Sequence, residues 1–537
     1  MPAPTALPIP RLHPFVGVDV PWLLGDRVAR RGDSPYIIWD PFEGEPRTWT
    51  YGEFGSAVAQ VAGGLWQRGI RPGEFVLIHL GNCPEFLIAW HACSRIGAVA
   101  VTTNTRSSSE ELAYYASNCG AVAAITQPAL VDLVAQSAPS LRWLAVTDTD
   151  VGAPPASFQA TGTLSFRELF ADAGAFPGRA AEPLRFNSVQ YTSGTTSRPK
   201  GVVWTHANVL WGARLTAMNL QITPDDVGLA FFPLFHTNSL MYASLSSLWA
   251  GAAFVLMPRY SASRFWDRAV RHRCTWCCTS PFVLKTLQQH PVPDDHRFRF
   301  WGSGTTDPPL ARERCRVQGL GWFGMTETVG HPTMGYLDLP NRALAMGRPS
   351  PGYEVEVVRE DGTPVEFGET GQLLVRGIPG LSLFYEYLNN PAATAAAFDA
   401  HGWMSTGDMV TPYADGSLRF EGRGQDLLRV GSENVAAAEI ERVIQPIPGV
   451  FEVAVVAGPH DLLGEVPVAF VIPAGEPGDL AARILAVCAD QLADFKVPRE
   501  VIFLDVFPRS TLNKVSKREL RARLRAPAAD DTTSVGS

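Results

Sequence analysis

A run of ten residues between an apolar segment and a helical pattern that begins near His206 combines hydroxyl side chains, glycines and one lysine. It reads Thr192-Ser193-Gly194-Thr195-Thr196-Ser197-Arg198-Pro199-Lys200-Gly201. The backbone N–H groups of such a loop can surround phosphate oxygens, and Lys200 adds a positive charge. The spacing differs from that of a Walker loop, which ends in Gly-Lys followed by Ser or Thr. Composition alone therefore fits both a phosphate-binding loop and an ordinary surface turn.

Four segments follow this loop in order along the chain: Phe323-Gly324-Met325-Thr326-Glu327, Ser405-Thr406-Gly407-Asp408, Gly422-Arg423, and 508–520 with Lys514. Together with the loop, they resemble the signature motifs of the adenylate-forming superfamily. That superfamily includes acyl-CoA synthetases, peptide-synthetase adenylation domains and beetle luciferases. Five motifs in the correct order are hard to obtain by chance. The resemblance implies an enzyme that converts an acid to its acyl-AMP with ATP and releases pyrophosphate.

The resemblance also implies which residues bind the nucleotide: Thr192, Ser193, Gly194, Thr195, Thr196, Lys200, Ser303, Gly304, Phe323, Gly324, Met325, Thr326, Asp408, Arg423 and Lys514. In this scheme the ring of Phe323 stacks on adenine, and Asp408 and Arg423 hydrogen-bond to the ribose. Glu327 is the implied Mg²⁺ ligand, since a hard cation prefers carboxylate oxygen. The alternatives are a solvated or helix-capping carboxylate for Glu327 and a turn-forming residue for Asp408.

The implied catalytic residues are Lys514, Glu327, Thr326 and His236. Lys514 would contact the α-phosphate and the attacking carboxylate oxygen together, and its charge would offset the repulsion between the two anions. His236 corresponds to an aromatic position at the edge of the acid pocket, with a core histidine as the alternative. Ser303 and Gly304 correspond to the place where the acid pocket meets adenine, with a plain turn as the alternative.

Short apolar runs alternate with helical patterns along much of the chain. Strands are predicted at 75–80, 98–102 and 121–126, and helices at 84–96 and 109–118. This alternation favours βαβ units, and the same alternation of apolar runs and helical patterns recurs over 188–301. We therefore predict an α/β fold: a large N-terminal domain of doubly wound parallel sheets with a small antiparallel β subdomain, then a small mobile C-terminal α+β domain.

The predicted domain boundaries follow the motifs. Residues 1–424 form the N-terminal adenylation domain that binds ATP and the acid, and residues 425–525 form the C-terminal domain that carries the catalytic lysine. The polar, glycine-containing stretch 422–426, which spans this boundary, suits a hinge, and the resemblance assigns the hinge position to Gln425. Residues 526–537 are small and polar and are predicted to be a disordered tail.

Within the superfamily, Tyr260-Ser261-Ala262-Ser263-Arg264-Phe265-Trp266 and Gly377-Ile378-Pro379-Gly380 are similar to the carnitine/crotonobetaine-CoA ligase branch. CoA is therefore the expected co-substrate, and Gly431 and Ser432 correspond to the tunnel for the acceptor. Ser432 replaces a family glycine, and its Cβ would narrow that tunnel. Gln425 and Asn513 also depart from the family pattern. An amine or a carrier-protein thiol as acceptor, and activation of nitrous acid for diazotisation of an arylamine, stay open as alternatives.

Composition limits the remaining function classes. The chain has 537 residues, a net charge of −8 and no basic run before its C-terminal segment, which argues against nucleic acid as a partner. No apolar stretch reaches the roughly 20 residues needed to span a bilayer. Eight scattered cysteines do not form a disulfide framework or a zinc spacing, so a cytoplasmic location is expected. A regulatory protein that binds nucleotide without catalysis is disfavoured, because all the charged motif residues are present.

Overall fold

The structure is a computed structural model that describes residues 9–154, 162–192, 199–306, 309–423, 427–430, 433–460, 463–492, 494–509 and 515–525. The helices are, in chain order, α1 (Val20–Arg31), α2 (Tyr51–Gln67), α3 (Pro84–Ile96), α4 (Ser109–Cys119), α5 (Val131–Ser137), α6 (His206–Asn219), α7 (Ser246–Ala250), α8 (Ala262–Arg271), α9 (Pro281–Leu287), α10 (Pro391–Ala396), α11 (Ala437–Ile444), α12 (Leu480–Gln491) and α13 (Lys517–Arg525). A π-helix spans Asn238–Leu245.

The strands are, in chain order, β1 (Pro35–Trp39), β2 (Arg47–Thr50), β3 (Phe75–His79), β4 (Val99–Thr102), β5 (Ala123–Thr126), β6 (Trp143–Val146), β7 (Leu164–Ser165), β8 (Phe186–Thr192), β9 (Lys200–Thr205), β10 (Val227–Ala230), β11 (Ala253–Leu256), β12 (Trp276–Cys278), β13 (Phe300–Ser303), β14 (Gln318–Phe323), β15 (Thr333–Met334), β16 (Arg348–Pro349), β17 (Glu354–Val358), β18 (Gly371–Arg376), β19 (Glu386–Tyr387), β20 (Trp403–Pro412), β21 (Leu418–Arg423), β22 (Leu427–Val430), β23 (Glu433–Ala436), β24 (Val450–His460), β25 (Gly464–Pro473) and β26 (Glu500–Phe503).

Two large sheets with parallel centres dominate the fold. The nine-stranded sheet has the order β16-β15-β14-β13-β12-β10-β11-β1-β2, and the eight-stranded sheet has the order β19-β9-β8-β4-β3-β5-β6-β7. Strands β1 and β10 to β14 are parallel in the first sheet, and β3 to β8 are parallel in the second. Because parallel strands need crossover connections, helices pack on these sheets and bury their faces. The predicted doubly wound α/β architecture is confirmed.

Local sequence signals explain several element boundaries. A capping box joins Thr50 to Glu53 at the start of α2, and another joins Ser108 to Glu111 at the start of α4. Helix α4 ends at Cys119 and is followed by Gly120, whose φ of 63° suits a residue without a side chain. The helix predicted at 84–96 begins and ends at those residues. By contrast, no strand is predicted between the phosphate loop and His206, where the structure has β9.

The chain divides into two compact units. The first comprises Met1–Glu356, Leu374–Ser405 and Tyr413–Arg419, and the second comprises Val357–Leu373, Thr406–Pro412 and Phe420–Ser537. A four-stranded sheet has the order β17-β18-β20-β21, and a five-stranded sheet has the order β23-β22-β25-β24 with β26 beside β25. The predicted domain boundary after residue 424 stays a prediction. No helix in the described part of the chain is long and apolar enough to cross a membrane.

The five-stranded sheet of the second unit is buried on both faces. Val453 and Val455 belong to one core, which α11 and α12 cover, and Ala454 and Val456 belong to another, to which Leu520 of α13 contributes. Successive side chains of a strand point to opposite faces, so β24 supplies both cores at once. This arrangement explains why β24 is almost continuously apolar instead of alternating.

All eight cysteines are buried thiols. Burial raises the pKa of Cys93 to about 12 and that of Cys119 to about 12. Three of them, Cys274, Cys277 and Cys278, lie around β12 and pack into the core of the nine-stranded sheet. Their side chains therefore serve as core hydrophobes.

Candidate active site

The carboxyl ends of β10, β12, β13 and β14 meet at one edge of the nine-stranded sheet. Ser303 ends β13 and pairs with Gly321 of β14, so Ser303 and Phe323 lie at neighbouring strand ends. Ligands of open α/β sheets bind outside such carboxyl ends. The structure therefore brings together two of the predicted nucleotide-binding residues, Ser303 and Phe323, and open space lies beside Gly304.

The predicted phosphate loop connects β8 and β9, which form an antiparallel hairpin. Thr192 pairs with Lys200 at the end of the hairpin that the loop joins, and the Thr192 hydroxyl donates to the Lys200 carbonyl oxygen at 3.4 Å. Ser193, Gly194, Thr195 and Thr196 lie outside the described residues. The pairing between β8 and β9 therefore fixes the positions of the two strand residues that flank the loop.

Glu327 follows β14 in a short 3₁₀ turn, and the residue is 5% exposed. The hydroxyl of Tyr387 donates a hydrogen bond to Glu327 Oε1 at 2.8 Å. The ammonium of Lys200 lies over the ring of the same tyrosine, with Nζ 4.3 Å from the ring centroid. The predicted metal ligand and the predicted phosphate-binding lysine thus both contact Tyr387, a residue that was not predicted from the sequence.

Two hydrogen bonds to the backbone hold the turn that carries Glu327. The indole Nε1 of Trp204, on β9, donates to the carbonyl oxygen of Thr326 at 2.9 Å. The backbone N–H of Phe384 donates to the carbonyl oxygen of Glu327 at 2.8 Å. Thr326 and Glu327 are therefore fixed relative to the strand that begins with Lys200.

Burial raises the pKa of Tyr387, and the nearby Glu327 carboxylate raises it further. The phenol is consequently a protonated donor throughout the neutral range. Among the described residues, no cluster of three or more His, Cys, Asp or Glu side chains could hold a metal ion alone. Glu327 is suited to Mg²⁺, which nucleotide sites bind through one or two carboxylates together with phosphate oxygens and water.

His236 follows β10 and is half-buried against Phe235, with 4.8 Å between the ring centroids. The next residue, Thr237, donates through its hydroxyl to Gln190 Oε1 of β8 at 3.0 Å. The segment around His236 is therefore tied to the strand that leads into the phosphate loop. The pocket-edge position and the role predicted for His236 stay predictions.

An aromatic wall, which we define as Tyr242, Trp322 and His331, stands beside the strand ends. The His331 ring lies 3.8 Å from the Tyr242 ring and 4.7 Å from the Trp322 ring, measured between centroids. Burial lowers the pKa of His331 to about 3, so its imidazole is neutral. Tyr242 is carried by the π-helix, an irregular element that is frequent at functional sites. All three side chains of the aromatic wall are therefore uncharged at neutral pH.

Gly302 is the residue that allows Trp322 to take its place in this wall. A Cβ added at Gly302 would lie 1.4 Å from Trp322 Cη2. We expect Gly302→Ala to lower the free energy of unfolding by about 3 kcal/mol, because the indole must leave its position or the strands must separate. Gly304→Ala is the matched control, since nothing lies within 4 Å of its added Cβ. Chemical denaturation of the two variants measures the difference. Equal denaturation midpoints for Gly302→Ala and Gly304→Ala would contradict the prediction.

The ribose motif lies in the second unit, on β20. Asp408 is 1% exposed, and its backbone N–H donates to the Thr406 hydroxyl, which in turn donates to the Leu373 carbonyl oxygen at 2.8 Å. Arg423 ends β21, the neighbour of β20 in the sheet. Gln425, Gly431, Ser432, Asn513 and Lys514 lie outside the described residues, so their roles stay predictions.

Residues 24–388 match the AMP-binding enzyme family, and residues 439–514 match the AMP-binding enzyme C-terminal domain. The chain belongs to the AMP-binding enzyme family. A crotonobetaine/carnitine–CoA ligase of Proteus mirabilis (strain HI4320) is 31% identical over 515 residues, which cover 90% of this chain and 95% of that protein. These findings confirm the predicted superfamily and the predicted likeness to its carnitine/crotonobetaine branch.

Two solved structures have the same fold. ATP-bound MatB from Rhodopseudomonas palustris has a TM-score of 0.81 at 28% identity, covering 93% of this chain and 98% of its own. A benzoate CoA ligase from Burkholderia xenovorans LB400 has a TM-score of 0.81 at 26% identity, covering 94% and 99%. With the family match, these structures confirm the predicted class of enzyme, an ATP-dependent AMP-forming acid ligase.

Proposed function

We propose that the protein is an acid–CoA ligase that first forms an acyl-AMP and then transfers the acyl group to CoA. The observation that carries this proposal is the arrangement of Lys200 and Glu327 around Tyr387, next to the β8–β9 hairpin. An ammonium and a carboxylate that form no ion pair with each other in the described part of the chain, beside a predicted phosphate loop, suit a nucleoside triphosphate and its metal ion: the ammonium suits the phosphates and the carboxylate suits the metal. The relatives named as CoA ligases support the choice of acceptor.

In the first step, a carboxylate oxygen of the acid attacks the α-phosphorus of ATP. The bond from that phosphorus to the bridging oxygen breaks, and pyrophosphate leaves. Lys200 and the loop hold the phosphates, and Lys514 offsets the repulsion between the two reacting anions. Mg²⁺ bound through Glu327 would neutralise charge on the phosphates. Asp408 and Arg423 orient the ribose, and Phe323 stacks on adenine.

In the second step, the sulfur of CoA attacks the acyl carbon, AMP leaves, and the thiol gives up its proton. The C-terminal domain would present the face that carries Gly431 and Ser432, after rotation at Gln425. Ser432 and Asn513 stand where the family has glycines, so an amine or a carrier-protein thiol is the alternative acceptor. We also propose a cytoplasmic location, which the eight buried thiols support.

A screen of acids tests the function. The panel contains fatty, aryl, cinnamic, betaine-like and nitrous acids, and the readout is pyrophosphate release with ATP and Mg²⁺, with and without CoA or amines. We expect one acid class to release pyrophosphate, with multiple turnovers when CoA is present. Turnover that requires an amine, or release that stops at one equivalent with CoA, would contradict CoA as acceptor. No release with any acid would contradict adenylation.

A further inference from the structure

We propose that Tyr387 is a positioning residue that keeps Glu327 and Lys200 apart and oriented for the metal–nucleotide complex. The inference rests on the proposed function, and it assigns a role to a residue outside all five sequence motifs. Tyr387 is 6% exposed and lies on β19, a two-residue strand at the edge of the eight-stranded sheet.

The hydroxyl of Tyr387 determines the orientation of Glu327. It donates to Oε1 at 2.8 Å, while a second hydrogen bond, from Phe384 N to Glu327 O, fixes the backbone of the same residue. A nearly buried glutamate whose backbone and one carboxylate oxygen are both held by hydrogen bonds keeps its second carboxylate oxygen in a defined direction. Such a carboxylate is ready to bind a cation without losing further side-chain entropy.

The ring of Tyr387 determines the position of Lys200. The Nζ atom lies 4.3 Å from the ring centroid, within the range of a cation–π contact. A lysine side chain has many rotamers, and this contact orders it before phosphate binds. Lys200 begins β9, and Tyr387 pairs with Val202 of the same strand, so the backbone keeps ring and ammonium together.

One tyrosine side chain thus contacts both a carboxylate and an ammonium that would otherwise attract each other. Glu327 and Lys200 form no ion pair with one another in the described structure. A direct pair would have to be broken before Lys200 could hold a phosphate and Glu327 a cation, and that would cost nucleotide affinity. Tyr387 prevents this pairing and supplies a weaker partner to each group.

Two substitutions separate the two contacts. Tyr387→Phe keeps the ring and removes the hydroxyl, whereas Tyr387→Leu removes both. Tyr385→Phe is the matched control, because Tyr385 lies two residues away, is 38% exposed and packs on Phe186. All variants are full-length and are compared with the wild type by chemical denaturation, so that a loss of folding is recognised.

The readouts are equilibrium binding, not turnover. Mn²⁺ binding with a non-hydrolysable ATP analogue is followed by electron paramagnetic resonance, and metal-free ATP binding in EDTA is followed by calorimetry. For Tyr387→Phe we expect the Mn²⁺ concentration at half-saturation to rise about tenfold, with metal-free ATP binding unchanged, since one hydrogen bond to a charged group is lost. For Tyr387→Leu we expect metal-free ATP binding to weaken about fivefold as well.

Equal Mn²⁺ half-saturation for the wild type and a folded Tyr387→Phe would overturn the inference while leaving the proposed function intact. An equal change in Tyr385→Phe would overturn it too, because the effect would then belong to the whole segment. A wild type that binds no ATP and releases no pyrophosphate with any acid would overturn the proposed function itself.

Discussion

Replacement of Lys514 by alanine is expected to lower the rate of acyl-AMP formation by about 10²–10³-fold. Two anions must approach each other in this step, the carboxylate of the acid and the α-phosphate of ATP. The ammonium of Lys514 is the charge that the family motif supplies at that point, and alanine leaves the repulsion uncompensated. Acid-dependent exchange of labelled pyrophosphate into ATP measures the step directly.

The matched control is Lys517→Ala, three residues further on. Lys517 is the first residue of α13, and its Nζ pairs with Glu441 Oε1 at 2.7 Å, so it serves the fold of the second unit. Lys517→Ala should keep the exchange rate. A second control supplies synthetic acyl-AMP and CoA, which Lys514→Ala should convert at the wild-type rate. Undiminished exchange in Lys514→Ala would remove this lysine from the mechanism.

Glu327→Gln is expected to reduce the same exchange by about 10²-fold or more at ordinary Mg²⁺ concentrations. The amide has the same shape, and its oxygen can still accept from the hydroxyl of Tyr387, so the turn should keep its structure. What is lost is the negative charge that holds the metal ion. Raising the Mg²⁺ concentration should restore part of the activity.

The control for this substitution is Glu386→Gln. Glu386 lies beside Tyr387 on β19, and neighbouring side chains on a strand point to opposite faces. When exchange activity is titrated against Mg²⁺, the Mg²⁺ concentration at half-maximal activity should be higher for Glu327→Gln than for the wild type. For Glu386→Gln this concentration should be unchanged. Identical Mg²⁺ curves for the Glu327 variant and the wild type would exclude this carboxylate as the metal ligand.

The sequence predicted the α/β class and helices such as those at 84–96 and 109–118, because those features are local. The helix at 84–96 has its own start and stop signals, including Pro84 and Gly97. Strand β9 was missed because Val202, Val203 and Trp204 are all fully buried. A strand that is buried on both faces shows no alternation, and a short apolar run before a helix resembles the helix itself.

The site was predicted only where motifs mark it. Tyr387 acts through the pairing of β19 with β9, and such a contact between distant segments leaves no periodic signal in either. The aromatic wall depends on the close approach of Trp322 to Gly302. A glycine inside a strand is the one signal that sequence could have offered, since it often marks a place where another group comes near.

The burial of the eight thiols has a practical consequence for following the reaction. A colorimetric thiol reagent reacts with the thiolate of CoA, whereas a thiol that is enclosed in the core and held protonated by its raised pKa does not react. We expect the native enzyme to give no colour and the denatured enzyme to give colour from every cysteine. CoA consumption can then be recorded continuously in the presence of enzyme. In samples without CoA, the amount of colour that develops slowly measures the fraction of enzyme that has unfolded.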